Sequence, residues 1–508
     1  MARTSSAFLS STPAHVAAGA VAGAIAAVGF APVESVIPTL IGMAALMVLV
    51  LRGDRPFAAG FGFGVGHFAV GLAWIATAFT FQSAMPPVMG WVAVVGLSFY
   101  LALFPALAAK AAHMASAGRG LAFVLLFAAL FTLAEIARGL LFTGFPWNPL
   151  GAPWLGVPGV AGLGAFIGAS GLSATMILAA GSIVALFTPE MAGRWWLVAV
   201  LPVLLGAGVL LTRSPSPAAR TGPRLLLVQP DTDQADKTAP GGADRAIARL
   251  LGLTRAGLSQ HSGIAAVIWP EAAVDYPLNE DPDLARLVSA PLGRGMVLLT
   301  GGIALERDAG GRVLGARNSL YALDADGRTL LRYDKAHLVP GGEYLPLRAI
   351  AEPLGLSRVV PGSLDFLPGP GPTSYRLPFL GAFGPAICYE IIFAGAIVDR
   401  DDRPAWILTV SNDAWFGPSG PPQHFAQARL RAIEEGVPVV RVTTTGISGV
   451  IGPGGEVVAR LRPHVPEAMA VRLPPPRAPT VVARLGLLAP ALLALLLALG
   501  GMAVRRKT

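Results

Sequence analysis

The stretch Gly384-Pro385-Ala386-Ile387-Cys388-Tyr389-Glu390-Ile391-Ile392-Phe393 contains the only cysteine among the 508 residues of the chain. A single cysteine forms neither an internal disulfide nor a thiolate-cluster metal site. The apolar run from Leu380 to Ile387 predicts a strand that ends at the cysteine, and a helix-compatible run follows. Peptide N–H groups at the start of a helix favour a thiolate. A buried core thiol is the alternative, but the end of a strand favours a nucleophile.

The composition divides the chain into a membrane part and an aqueous part. Apolar residues make up 54% of the chain and charged residues only 13%, which excludes an ordinary soluble protein. Of the 38 basic and 30 acidic side chains, only 11 lie within residues 1–212. The net charge of +8 comes from dispersed arginines without a basic helix, so it favours membrane-flanking charges over a nucleic-acid partner.

Eight apolar segments have the length of a bilayer-spanning helix, about 17–25 residues. The first is interpreted as an uncleaved helix and not as a signal peptide, because six more segments follow it before the aqueous part. The predicted spans lie near residues 14–30, 35–51, 57–81, 88–109, 120–141, 157–187 and 195–212, and from Leu485 to Val504.

The loop charges predict the orientation in the membrane. Basic residues occur before the first span and in alternate loops, and by the positive-inside rule these loops are cytoplasmic. The carboxyl-terminal Arg505-Arg506-Lys507 outweighs Arg484 and places that end in the cytoplasm too. The predicted domains are a membrane domain at 1–212, a linker at 213–222, an extracytoplasmic domain at 223–474 and a last span with a basic tail at 475–508. The basic residues used are Arg3, Arg52, Arg55, Lys110, Arg119 and Arg194.

Within 223–474, short apolar strands alternate with helical stretches, which predicts an α/β domain with helices covering its sheets. The predicted strands are Arg224–Val228, Ala265–Trp269, Met296–Thr300, Ser319–Ala322, Gly384–Ile387, Trp406–Val410 and Val439–Val442. The predicted helices are Gly242–Leu258, Asp283–Ser289 and His424–Glu435.

Three further charged residues stand where such a sheet would present them. Glu271 ends a buried strand, where a carboxylate is costly unless it is paired or functional. Lys335 lies in Arg332-Tyr333-Asp334-Lys335-Ala336-His337-Leu338, and Glu343 follows a Pro-Gly-Gly turn beside Tyr344. Each has an ordinary interpretation by itself, as a loop acid or a solvated lysine.

Together, Glu271, Lys335 and Cys388 resemble the Glu-Lys-Cys triad of the nitrilase superfamily. The flanking sequence motifs also match that family: strand-Pro-Glu, Tyr-x-Lys-x-His-Leu and Cys-Tyr-Glu. With its eight spans the whole chain resembles the bacterial apolipoprotein N-acyltransferase family. Further motifs of that family lie at residues 144–147, 411–417 and 422–424. The resemblance implies an αββα sandwich beside a multi-span helical bundle.

The resemblance also implies a reaction in the bacterial inner membrane. A phospholipid, phosphatidylethanolamine by expectation, would give its acyl chain to Cys388 as a thioester. The acceptor would be the α-amino group of the diacylglyceryl cysteine of an apolipoprotein. Glu271 would be the general base, and Lys335 with a backbone N–H near Tyr389 would stabilise the oxyanion. Glu343 would orient Lys335 or support the second half-reaction, and no cofactor or metal is expected.

The substrate pocket is predicted from residues near these four. Tyr389 and Glu390 would form its wall, and the candidate lipid contacts are Tyr344, the segment Leu345–Val360, Trp415 and Phe416. Ordinary loop packing is an equal alternative for these apolar stretches.

Two other functions stay open from the sequence. One is a membrane-anchored amidase that uses water as acceptor. The other is a receptor or transporter with an inactive nitrilase-like domain, which the lack of an internal repeat disfavours. Inside the membrane part, Glu135 and Arg138 are spaced to form an i,i+3 structural pair, and His67 is interpreted as a buried structural histidine.

Overall fold

The computed structural model describes residues 11–81, 85–118, 120–157, 159–189, 191, 193–212, 222–354, 357–359 and 364–507. Arg3, Arg119 and residues 213–221 of the expected linker lie outside this part of the chain. The chain divides into two compact units. The first comprises Met1–Ala76, Val88–Pro215 and Pro479–Thr508, and the second comprises Thr77–Pro87 and Ser216–Ala478.

Helices form most of the first unit and cover the sheets of the second. In chain order they are α1 (Thr12–Val28), α2 (Val36–Arg52), α3 (Pro56–Gly71), α4 (Ile75–Ala78), α5 (Val88–Ser116), α6 (Gly120–Leu140), α7 (Gly164–Leu186), α8 (Arg194–Val198), α9 (Val200–Thr212), α10 (Gln234–Thr238), α11 (Gly242–Gln260), α12 (Pro282–Ser289), α13 (Arg348–Ala351), α14 (Gly420–Glu435), α15 (Val481–Leu485) and α16 (Leu488–Lys507).

Glycines allow the helices of the first unit to pack closely. A Cβ on Gly19 of α1 would lie 2.3 Å from the carbonyl oxygen of Ala59 in α3. A Cβ on Gly23, one turn later, would lie 1.9 Å from the carbonyl oxygen of Phe63. Small residues at such crossings let apolar helices gain van der Waals contact where the solvent is itself apolar.

Among the described residues, five helices are long and apolar enough to cross a membrane, and α3 with α4 makes a sixth if the bent pair is one span. The helices α1 and α2 are apolar but have 17 residues each. The predicted span over 57–81 is a bent pair of helical segments, Pro56–Gly71 and Ile75–Phe81, whose axes differ by 49°. At this break Trp74 packs on Trp147, with ring centroids 4.6 Å apart.

The charged pair predicted in the membrane part is present and structural. Arg138 donates to the carbonyl oxygens of Phe145 and Trp147 at 2.8 and 2.7 Å. Glu135, 3.7 Å from the guanidinium, accepts a hydrogen bond of 2.8 Å from the N–H of Leu150. The buried pair therefore fixes the loop that follows α6.

The second unit contains two sheets. Their strands are β1 (Arg224–Gln229), β2 (Ile264–Ile268), β3 (Val274–Pro277), β4 (Val297–Arg307), β5 (Val313–Leu323), β6 (Thr329–Asp334), β7 (Tyr375–Leu377), β8 (Gly381–Ile387), β9 (Trp406–Ser411), β10 (Val439–Thr443), β11 (Gly449–Ile451), β12 (Val457–Arg460) and β13 (Glu467–Arg472). The first sheet has the order β13-β1-β2-β4-β5-β6, with β3 beside β4, and the second has the order β12-β11-β10-β9-β8-β7.

The layers follow the predicted αββα order. A core between the sheets contains Leu227 and Ile268 from the first sheet and Phe383 and Leu408 from the second. The other face of the first sheet packs on α11 and α12, and α14 lies against the second sheet. Burial of each such large apolar side chain contributes about 1.5–3 kcal/mol, so both layers stabilise the strands whose ends carry the polar residues.

The strand directions bring several loops to one edge of each sheet. In the second sheet β8, β9 and β10 are parallel, and in the first β1, β2 and β4 are parallel. The strands β5 and β6 each run antiparallel to their predecessor, so β6 points the same way as β4. The loops after β2, β6, β8 and β9 therefore leave from the carboxyl edges, where α/β sheets place their ligand sites.

Candidate active site

Cys388 directly follows β8 and begins a short 3-10 turn, Cys388–Ile392. Its φ is +52°, in the left-handed region that is unfavourable for a residue with a Cβ. Its side chain is buried, with 7% of the residue exposed. A strained non-glycine residue persists only where its surroundings hold it, and such strain clusters at functional sites.

Glu271 reaches the site from the turn after β2. Its Oε1 accepts hydrogen bonds from Asn318 Nδ2 at 2.7 Å and Lys335 Nζ at 3.5 Å. Its Oε2 accepts a bond of 2.6 Å from the backbone N–H of Asn412, at the end of β9. Gly301 makes room for this turn, because a Cβ there would lie 2.6 Å from the Cα of Glu271.

Lys335 lies between two carboxylates. Its Nζ donates to Glu343 Oε1 at 2.9 Å, and only 1% of the residue is exposed. Burial lowers the pKa of Lys335, but the charges of Glu343 and Glu271 outweigh it and raise this pKa above its ordinary value. Glu343 is itself held by Asn318 Nδ2 at 2.9 Å and the N–H of Val339 at 2.8 Å. The ammonium is therefore charged and fixed.

The thiol of Cys388 is protonated at neutral pH. Burial raises the pKa of Cys388, the charge of Glu271 raises it further, and the charge of Lys335 opposes both. The prediction that the following helix favours a thiolate is wrong, because the 3-10 turn has only five residues and burial dominates. The carboxylates of Glu271 and Asp413 both raise this pKa, and Glu271 is the larger of the two influences.

Glu390, predicted to form part of the pocket wall, is held by four hydrogen-bond donors. Its Oε1 accepts hydrogen bonds from the hydroxyl of Tyr333 at 2.8 Å and from the N–H groups of Ala336 and His337 at 2.8 and 3.1 Å. Its Oε2 accepts a bond of 2.6 Å from the N–H of Ile387. Burial raises the pKa of Glu390, and these donors oppose it. The carboxylate thus ties the loop after Lys335 to the turn of Cys388.

The aromatic residues predicted to bind substrate lie in three places. Tyr389 is buried with Phe393 and His337, at ring-centroid distances of 5.1 and 5.7 Å. Phe416 packs against the core between the sheets. Trp415 lies edge-on to Phe81 at 6.0 Å, within the same unit.

Tyr344 is half-buried in the loop after Glu343. Farther along that loop, Leu347 is 77% exposed, and Ile350 of α13 is also exposed. The role of Tyr344, Trp415 and Phe416 in substrate binding stays a prediction.

Two site residues were missed by the sequence reasoning. Asn318 bonds both carboxylates from inside β5, and no motif marked it; a polar residue in an apolar strand was the one signal that could have revealed it. The backbone N–H of Asn412 binds Glu271, whereas the sequence identified residues 411–417 only as a motif shared with the family. Within the described part of the chain, no three His, Cys, Asp or Glu side chains are grouped as metal ligands.

Known families match both halves of the chain. Residues 245–473 match the family described as carbon-nitrogen hydrolase. The two-sheet domain is accordingly a nitrilase-like domain, with a cysteine, a lysine and carboxylates at its strand ends. An amidase from Nesterenkonia sp. is a solved structure with 17% identity and a TM-score of 0.35, covering 50% of this chain and 90% of its own.

Residues 22–182 match the apolipoprotein N-acyltransferase N-terminal domain. The apolipoprotein N-acyltransferase of Rhodopseudomonas palustris is 36% identical over 460 residues, covering 86% of this chain and 83% of the relative. That of Bradyrhizobium diazoefficiens is 35% identical over 513 residues, covering 96% and 94%. The chain belongs to the apolipoprotein N-acyltransferase family and is an enzyme, an N-acyltransferase of a bacterial membrane.

Proposed function

We propose that this enzyme moves a fatty acyl chain from a phospholipid to Cys388, and then to the α-amino group of the diacylglyceryl cysteine of an apolipoprotein. The observation that carries the proposal is the arrangement of a buried, protonated thiol beside one carboxylate and one fixed ammonium. A thioester suits this task, because an amine attacks it without any ATP.

In the first half-reaction, Glu271 accepts the thiol proton while Sγ of Cys388 attacks the ester carbonyl carbon. Proton transfer by a positioned group contributes about 10²–10⁴-fold to such a step. The oxyanion forms near Lys335 and the N–H of Tyr389. The intermediate collapses by breaking the bond to the glycerol oxygen, which takes the proton from Glu271 and leaves as a lyso-phospholipid.

In the second half-reaction, the α-amino group attacks the thioester carbonyl and passes a proton to Glu271. The same oxyanion position stabilises the second intermediate. Its collapse breaks the bond to Sγ, and the sulfur recovers the proton, so the cycle is ping-pong. Glu343 keeps its hydrogen bond to Lys335 in both half-reactions and holds the ammonium in place.

The placement in the membrane follows from the loop charges. In the proposed topology the chain crosses eight times, both ends are cytoplasmic, and the site faces the periplasm near the outer leaflet. The exposed Leu347 and Ile350 fit contact with lipid. Labelling of single introduced cysteines in a Cys388→Ala background tests this. A probe that does not cross the membrane should reach residue 309, in an exposed turn, but not residue 54, an exposed position in a loop predicted to be cytoplasmic.

An acyl-labelled phosphatidylethanolamine assay tests the reaction. The purified enzyme should form a hydroxylamine-sensitive adduct that Cys388→Ala lacks. Addition of a diacylglyceryl-cysteine peptide should transfer the label to the peptide amine. Free fatty acid as the sole product would instead identify an amidase-like hydrolase, and no adduct would refute covalent catalysis.

Trp415 tests the lipid contact separately. We predict that Trp415→Ser weakens phospholipid turnover because the indole covers the acyl chain. Trp415 is the cleaner variant, since Phe416→Ser also removes a side chain that packs on the core. The KM for phosphatidylethanolamine should rise while hydroxylaminolysis of a preformed thioester is unchanged; unaltered turnover would remove Trp415 from the pocket.

A further inference from the structure

We infer that His424 is a positioning residue that orients the peptide bond after Cys388, and with it the N–H of Tyr389 that faces the oxyanion. The inference rests on the proposed thioester chemistry and deepens it. It starts from a buried polar cluster beneath the nucleophile, formed by Ser411, Asp413, His424 and Arg441, which the proposed mechanism does not use.

The first observation is the contact with the nucleophile. Nε2 of His424 lies 3.0 Å from the carbonyl oxygen of Cys388. The imidazole is fully buried in α14. A carbonyl oxygen only accepts hydrogen bonds, so Nε2 must carry the proton.

The second observation is the partner on the other ring nitrogen. Arg441, from β10, has an NH2 group 3.1 Å from Nδ1 of His424. A guanidinium only donates, so Nδ1 accepts in this contact. Oδ1 of Asp413 lies farther from Nδ1, at 3.4 Å, and itself accepts from the hydroxyl of Ser411. The two shorter contacts, at 3.0 and 3.1 Å, favour the same neutral tautomer from opposite sides of the ring.

Asp413 compensates the buried guanidinium of this cluster. Its Oδ2 accepts from Arg441 at 2.5 Å, and its Oδ1 accepts from the hydroxyl of Ser411 at 2.5 Å. Arg441 and Asp413 are both fully buried, so their opposite charges stabilise each other inside the protein. Burial and the charge of Arg441 lower the pKa of His424 and outweigh the opposing influence of Asp413, which agrees with a neutral ring.

The consequence follows from the geometry of the peptide bond. The amide between Cys388 and Tyr389 is planar and trans, so its C=O and N–H point in opposite directions. A hydrogen bond that fixes the oxygen therefore also fixes the N–H. Because Cys388 has an unfavourable φ of +52°, the peptide bond after it needs a hydrogen bond from another part of the chain to keep its orientation.

The test compares two reactions of the same sulfur in the full chain. Thioester formation from phosphatidylethanolamine needs the oxyanion donor, whereas alkylation by iodoacetamide forms no oxyanion. Since the chain has one cysteine, both modifications report on Cys388 alone. The variant His424→Asn is too short to reach the Cys388 carbonyl, and His424→Gln retains a donor near the Nε2 position.

We expect His424→Asn to slow single-turnover acylation by at least about tenfold and by no more than the roughly 10²–10³-fold caused by complete loss of one oxyanion donor. Its alkylation rate and its KM for phospholipid should stay near those of the wild type, and His424→Gln should recover most of the acylation. The matched control is His261→Asn, before β2 at the opposite end of the strands, which should leave both rates unchanged.

Three results would overturn the inference: wild-type acylation in His424→Asn, an equal fall of acylation and alkylation, or no recovery in His424→Gln. If the Asn variant does not fold, nitrogen NMR of the seven histidines in the wild type decides, with His424 assigned by the Gln variant. An Nδ1–H tautomer or an imidazolium would refute the inference. A wild type that forms no thioester refutes the proposed function instead, and the tautomer still tests the hydrogen bond.

Discussion

Replacement of Tyr333 by Phe removes one donor from the carboxylate that joins the two halves of the site. The hydroxyl of Tyr333 donates to Glu390 Oε1 at 2.8 Å, and the residue is 2% exposed. Hydrogen bonds to charged groups contribute about 1.5–3 kcal/mol, against about 0.5–1.5 kcal/mol for neutral pairs. Phe keeps the ring in the core between the sheets, so the expected loss is that of the hydrogen bond alone.

Tyr321→Phe is the matched control. Its hydroxyl donates to the carbonyl oxygen of Ile303 at 3.2 Å, a neutral pair, and its ring packs on the helix-covered face of the first sheet. At about 2–4 °C per kcal/mol for a domain of this size, Tyr333→Phe should lower the melting temperature of the detergent-solubilised enzyme by roughly 3–12 °C. Tyr321→Phe should lower it by less and leave acylation intact.

The pH dependence distinguishes this hydrogen bond from a packing defect. The Tyr333 hydroxyl favours the ionised form of Glu390, so its contribution is lost as pH falls through the folded-state pKa of Glu390. Burial raises that pKa above its ordinary value, so the stability gap between wild type and Tyr333→Phe should begin to narrow above pH 4.5. Equal losses in the two Tyr variants, or a gap independent of pH, would refute the role of Glu390 as a charged clamp.

Two further predictions concern the base. Glu271→Gln should abolish thioester formation yet increase the iodoacetamide alkylation of Cys388 at alkaline pH, because the charge of Glu271 raises the thiol pKa; an unchanged alkylation profile would contradict this. Gly301→Ala should push the Glu271 turn aside and slow acylation by up to about 10²-fold, the cost of a 1 Å misplacement. In contrast, Gly252→Ala, where a Cβ meets open space, should acylate at the normal rate.

The strands before Glu271 and Cys388 were predictable because an apolar run precedes each residue. The strand before Lys335, β6, was not predicted, since it contains Arg332 and Asp334 and is mostly not buried, so Lys335 was proposed only through the resemblance. The layer order was predictable only through the resemblance, since alternating strands and helices are compatible with several α/β folds. The relative direction of β6 depends on two antiparallel pairings that no local pattern encodes.

What the sequence did not reveal depends on pairing and burial. Asn318 reaches both carboxylates because of the register in which β5 pairs with β4 and β6. The N–H of Lys335, which follows β6, donates to the carbonyl oxygen of Asn318 at 2.8 Å. The raised pKa of Cys388 follows from burial, which the motif does not state. The break before Ile75 was invisible because both sides of it are equally apolar, so hydropathy alone predicts one span.

The site contains two carboxylates, one ammonium and a neutral thiol. This distribution of charge explains why Glu271 and Glu343 have different roles in the proposed reaction. In the proposed reaction, the proton moves from Cys388 to Glu271, and the negative charge moves from the carboxylate to the sulfur and then to the oxyanion. The total negative charge beside Lys335 stays constant, so the buried ammonium always has an opposite charge next to it. Glu343 makes this possible, because its bonds to Lys335, Asn318 and the N–H of Val339 hold its carboxylate beside the ammonium while the other carboxylate changes state. A neutral residue at 343 would therefore leave Lys335 without a permanent partner at the moment when Glu271 is protonated.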